Sequence, residues 1–220
     1  MIDSTSILSF VFYLIILVVS ISIHEFSHAI TADRLGDPMP RNQGRITLSP
    51  LAHLDRLGSL MILLSSLAGF GIGWGKPVRV NPYAFRTTPR VGMGIVASAG
   101  PISNLILATL GAIALRALSS ISPDFLSLFL WLWVQTNVAL ALFNLIPVFP
   151  LDGYNVFLAI LEALKQDWSL KLAFFWQKQA QYGPMLLLLL LVVDRVAPAL
   201  SPISWVFGAP MSAILGALLG

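Results

Sequence analysis

Residues 7–23 (ILSFVFYLIILVVSISI) form an apolar run without a charged residue, close to the ~20 residues that carry a helix across a hydrocarbon layer. The chain then turns polar and is punctuated by proline and glycine over 34–58. Within that stretch 43–49 (QGRITLS) alternates as a short strand does, and 78–81 reads as a second strand. Between them lies 59–73 (SLMILLSSLAGFGIG), apolar but rich in glycine and serine. It is short for a crossing and suits an element that dips into the bilayer and returns. Longer runs at 91–118 and 125–149 read as spans, separated by a turn holding Ser122, Pro123 and Asp124. A helix is expected from Asp152 to about residue 164, then a polar helical stretch carrying Lys165, Lys171 and Lys178, then apolar runs at 185–193 and 203–219. The pattern predicts an all-α polytopic membrane protein with about four to six transmembrane helices and a small re-entrant β/helix element after the first span. We expect a single domain over 1–220, with a core at about 7–165 and C-terminal hydrophobic helices at 183–220.

Composition sharpens this class. The chain is 57% hydrophobic and 10% charged, against roughly a quarter charged in soluble domains, so its apolar residues exceed what one water-soluble core holds. The first run has no preceding Lys or Arg and no small-residue cleavage site, and is expected to be a retained span, not a signal peptide. There is no cysteine, which excludes thiolate catalysis, cysteine-held zinc and disulfides. The formal charge of +3 is spread through loops beside apolar runs. It reads as loop charge facing anionic lipid, not as a nucleic-acid footprint.

The chemistry lies at the end of the first run, in His24-Glu25-Phe26-Ser27-His28. Imidazoles four residues apart on a helix share one face, about one turn apart. Glu25, about 100° round the helix, can reach a water in the open position of a metal site without being a ligand. Ionisable side chains at membrane depth cost ~2.5 kcal/mol or more each and are functional candidates by default. A catalytic zinc needs a third protein ligand, and Asp152 is the best candidate elsewhere. Pro147 and Pro150 break the helix before it, exposing carbonyls and freeing a carboxylate to point into a cavity. Taken alone, Asp152 reads equally well as the N-cap of the next helix.

His-Glu-Phe-Ser-His together with Asn144-x-x-Pro147-x-x-Pro150-Leu151-Asp152-Gly153 resembles the site-2 protease family of intramembrane zinc metalloproteases. Ser98-Ala99-Gly100-Pro101-Ile102-Ser103-Asn104 and Gly73-Trp74-Gly75-Lys76-Pro77-Val78 are similar to further motifs of its short members, and the likeness runs over about residues 20–165. The resemblance implies one Zn2+ per chain on His24, His28 and Asp152, Glu25 as catalytic base, and membrane-anchored protein substrates. It casts Asn104 and Asn144 as oxyanion or substrate-positioning groups, the alternative being hydrogen bonds between helices. Arg56 departs from the proline that short members carry there, and no PDZ or CBS regulatory domain is read in the chain.

A shared site places the end of the first span, Asn104 and Asp152 at one depth, which requires 59–73 to dip without crossing. Arg34, Arg41, Arg45, Arg56, Lys76, Arg79, Arg86 and Arg90 then lie on one side with Lys165, Lys171 and Lys178, and Arg116 on the other. By the positive-inside rule the site faces the cytoplasm; the resemblance makes the membrane a bacterial inner membrane. The two expected strands would pair with an unwound substrate, with Ile46 and Val80 as contact positions. The expected partners are a transmembrane protein or peptide and the lipid bilayer, with no nucleic acid; self-association is left open. His53 is expected to be structural. A metal transporter or channel would carry several carboxylates along a path, whereas Asp33, Asp37, Asp55 and Asp124 fall in expected loops. A catalytically silent relative would not require Glu25.

Overall fold

In the computed structural model, which describes residues 4–67, 74–118, 121, 123–197 and 201–220, the apolar runs are helical. The first, α1 (Ser4–Arg34), leads into three short helices, α2 (Met39–Asn42), α3 (Pro50–His53) and α4 (Arg56–Leu67). The long α5 (Pro89–Leu118) and α6 (Asp124–Asn144) follow, then α7 (Asp152–Ala163), α8 (Asp167–Gln179), α9 (Gly183–Val196) and α10 (Pro202–Leu219). Three of these are long and apolar enough to cross a membrane: Ile7–Arg34, Pro89–Leu118 and Asp124–Asn144. The expected four to six crossings also counted shorter apolar helices, of which α9 has 14 residues.

α5 is the central helix and packs against α1, α6 and α7. Its sequence makes close approach possible, because small residues at its contacts let backbones come together where lipid offers no hydrophobic drive. A Cβ on Gly94 would stand 2.3 Å from the Ala159 Cβ of α7, and one on Gly111 would stand 2.5 Å from Trp133 of α6. Trp133 Nε1 donates to the Leu107 carbonyl at 2.8 Å, which satisfies the indole and locks α5 to α6. Beside this bond Ala108, Ala112, Val134 and Val138 make a buried cluster, against which Met211, Ile214 and Leu215 of α10 pack.

The connection from α1 to α5 departs from the expected strands. Among the described residues no strand forms; 43–49 is a turn and 76–81 has no regular structure, with one isolated bridge between Leu54 and Gly75. Gly44 adopts a φ of +66°, and Arg45, which the alternation assigned to a strand face, is 3% exposed and turned inward. Val80 packs with the cluster of Ala32, Phe85 and Val96. Ile46 and Val80 are therefore not edge-strand positions. α4 is 12 residues long and contains the first nine residues, 59–67, of the expected re-entrant segment; it spans about 18 Å against ~30 Å of hydrocarbon, and the segment's remaining residues, 68–73, lie outside the described part of the chain.

Because Gly94 admits no side chain against Ala159, Gly94→Val should separate α5 from α7 and cost about 1–3 kcal/mol. Thermal unfolding in detergent checks this, with a lowered midpoint expected.

Candidate metal centre

His24 and His28 sit on α1 where it crosses α5, and both are buried, at 8% exposure. Their rings stand edge to face with centroids 4.6 Å apart. In each ring Nδ1 is engaged. His24 Nδ1 donates to Asn104 Oδ1 at 2.6 Å, and His28 Nδ1 donates to the Val96 carbonyl at 2.7 Å. The pairing sets the tautomer and leaves both Nε2 lone pairs free.

Those lone pairs face Asp152. Its Oδ2 lies 3.1 Å from His24 Nε2 and 3.3 Å from His28 Nε2, and it is buried without a hydrogen-bond donor. Asp152 is the first residue of α7; the N-cap is Leu151, with no side-chain cap bond, so the capping alternative does not hold. With each Nδ1 engaged on α5, a neutral imidazole would offer the carboxylate only an electron pair, an arrangement that a cation between the three groups would resolve. Ligands about 2.0–2.2 Å from a tetrahedral zinc stand about 3.3 Å from one another, which matches the two separations.

Two further features fit an ion. The three ligand atoms lie within 4.8 Å of one another. A Cβ added to Gly100 would come 2.5 Å from both Nε2 atoms, so this glycine keeps open the space where the ligands converge. Pro101, next to it, removes one rung of the α5 ladder.

Glu25 stands beside this group, in contact with the connection between α1 and α5. Its Oε2 accepts from the Val78 N–H at 3.2 Å and lies 3.8 Å from Arg45 Nη2. Arg45 also donates to the carbonyls of Ala52 and Lys76, joining two loops over the carboxylate. Burial pushes the Arg45 guanidinium down from its ordinary range, and the Glu25 charge acts in the opposite sense. The same clamp includes Lys76 N–H donating to the His53 carbonyl at 2.7 Å. His53, fully buried, pairs its Nε2 with the Thr47 carbonyl at 2.7 Å.

Asn104 is where the motif placed it but faces the ligand shell. Its Oδ1 holds His24, and its amide donates to Asn137 Oδ1 of α6 at 3.0 Å. Asn137 in turn donates to the Trp133 carbonyl at 3.0 Å. Asn144 turns its amide back onto the Leu140 carbonyl of its own helix at 2.9 Å. Asn137 and Arg45 escaped the sequence reading. The signal for Asn137 is the polar triplet Gln135-Thr136-Asn137 inside an otherwise apolar run; Arg45 reads as a charge within an expected strand, with nothing local to show that it turns inward.

Residues 111–191 match the model of Peptidase family M50. The chain is 41% identical over 157 residues to one protein called "Putative zinc metalloprotease", YwhC of Bacillus subtilis, covering 68% of this chain and 69% of that one. It is also 37% identical over 141 residues to Rip2 of Mycobacterium tuberculosis, which carries the same description, covering 62% of this chain and 52% of Rip2. The chain thus spans about half the length of that mycobacterial relative. No solved structure matches it. The chain belongs to peptidase family M50, which bears out the resemblance drawn from its motifs.

Asn104→Ala should weaken zinc binding about 10- to 100-fold by freeing the His24 ring, read by competition with a chelator. Arg45→Met leaves the Ala52 and Lys76 carbonyls, part-buried at these bonds, without their donor, at about 1 kcal/mol for each hydrogen bond. A lowered melting temperature is expected, with zinc content unchanged.

Proposed function

We propose that this chain is a zinc-dependent endopeptidase that cuts membrane-anchored proteins, with His24, His28 and Asp152 as the ligands and Glu25 as the general base. The observation that carries this reading is the convergence of two tautomer-fixed Nε2 atoms and an undonated carboxylate oxygen on one point. Family membership and the printed names of the relatives support the same chemistry.

Zinc bound there lowers the pKa of its water and polarises the scissile carbonyl. Glu25 is the group that moves protons. Its Oε2 accepts from the Val78 N–H, which orients the carboxylate that would take the proton of the attacking water and return it to the departing amine. Arg45 and Val78 hold the carboxylate in one orientation while it does so. Asn104 and the Val96 carbonyl keep the two imidazoles presented through Nε2.

The ligands lie on or beside the spans, so a helical substrate must unwind locally before its carbonyl is free of its own helical hydrogen bond. In this proposal it enters beside the 74–78 stretch, which lies against Glu25. The basic residues between α1 and α5 support a cytoplasmic placement of this end in a bacterial inner membrane.

Purified protein in detergent, given a fluorogenic transmembrane substrate, tests the assignment. Glu25→Gln should retain one zinc per chain and lose about 10²- to 10⁴-fold in turnover, the range of a removed general base. Unchanged turnover with zinc in place would transfer the base role elsewhere.

A further inference from the structure

α8 does not belong to the spans, and its two faces differ. The inner face packs on α7, where Leu172, Ala173 and Trp176 meet Leu158 and Leu161, with the Trp176 ring 5.4 Å from Phe157. The outer face carries large apolar side chains in the open. Trp168 is 58% exposed, Phe174 62% and Phe175 54%.

Lysines lie among them. Lys171 and Lys178, seven residues apart and both exposed, form one stripe along the helix. Trp168 and Phe175, also seven apart, flank the stripe on one side, and Leu170 and Phe174 flank it on the other. Lys178 Nζ stands 4.5 Å from the Phe174 ring centroid. Water does not favour such an apolar face, and hydrocarbon does not favour two lysines on it. The headgroup layer accepts both, with aromatic rings at its boundary and lysine stems lying along apolar surface while the ammonium groups reach phosphate.

The position of α8 agrees. Trp176 Nε1 donates to the Pro147 carbonyl at 2.6 Å, which ties α8 to the loop leaving α6 at the end of a span. The chain passes from α8 through Ala180–Tyr182 into the apolar α9, whose Leu188 is 63% exposed. With Lys165 beside it, this segment holds three lysines against one acid, Asp167, and that acid sits in the first turn of α8, where the helix dipole favours it.

We propose that the outer face of α8 docks on anionic phospholipid headgroups of the bilayer that holds the spans. This surface also bears on the site, because α7, which carries Asp152, is braced by the opposite face of α8.

The absence of cysteine makes the test direct. Trp168→Cys in the full chain, labelled with a polarity-sensitive fluorophore, is reconstituted in nanodiscs of phosphatidylcholine or of an equimolar phosphatidylcholine and phosphatidylglycerol mixture. Blue-shifted emission is expected in the anionic discs. Each lysine near an anionic surface is worth about fivefold, so Lys171→Gln with Lys178→Gln should reduce the ratio of immersed to water-facing label on the order of 30-fold. A label at Phe174→Cys should report the same change. Water-like emission in both discs would overturn the proposal. So would equal immersion in both, unaffected by the lysines, or self-quenching that marks a second copy of the chain on this face.

Discussion

Everything at the catalytic end of the molecule hangs on two ring hydrogen bonds, from His24 Nδ1 to Asn104 and from His28 Nδ1 to the Val96 carbonyl. They decide which nitrogen of each imidazole is protonated and therefore which way its lone pair points. Without them the rings could turn, and Asp152 would meet a proton in place of an electron pair. Both acceptors belong to α5, which explains why the central helix is built from glycine and alanine at its crossings. A bulkier α5 would hold the same acceptors too far from α1 to reach the rings.

The second constraint is the layout of the connection between α1 and α5. In a soluble enzyme a carboxylate beside a metal is oriented by surrounding structure in every direction. Here α1 faces lipid on much of its surface, with Val11 and Ile15 well exposed, so orientation of Glu25 comes from one side. Arg45 and the Val78 amide supply it, and Asp37, accepting from the Asn81 N–H at 2.6 Å, pins the far end of the same loop. A buried guanidinium bridging two loop carbonyls does the work that a strand ladder would do elsewhere.

Much of this was legible in the sequence where periodicity and spacing act locally. The four-residue step from His24 to His28, the prolines before Asp152 and the long apolar runs each specify their neighbourhood, and the helices appear where the runs placed them. Roles that depend on distant partners were less accessible. The motif leaves Asn104 open between positioning substrate and bonding between helices, because nothing local says that it points back at a histidine eighty residues earlier. Arg45 and Val80 sit in stretches whose alternation imitates strands. The alternation does not map onto burial, since Leu48 is 62% exposed and Arg45 3%, and a buried arginine is indistinguishable from an exposed one until its carbonyl partners are located.

One consequence concerns timing. The imidazoles come from α1, whereas the carboxylate opens α7, after α5 and α6. A nascent chain made only as far as α6 therefore carries two of the three groups that converge at the site. The order of the segments means that the three groups can meet only after α5, α6 and the start of α7 have been made.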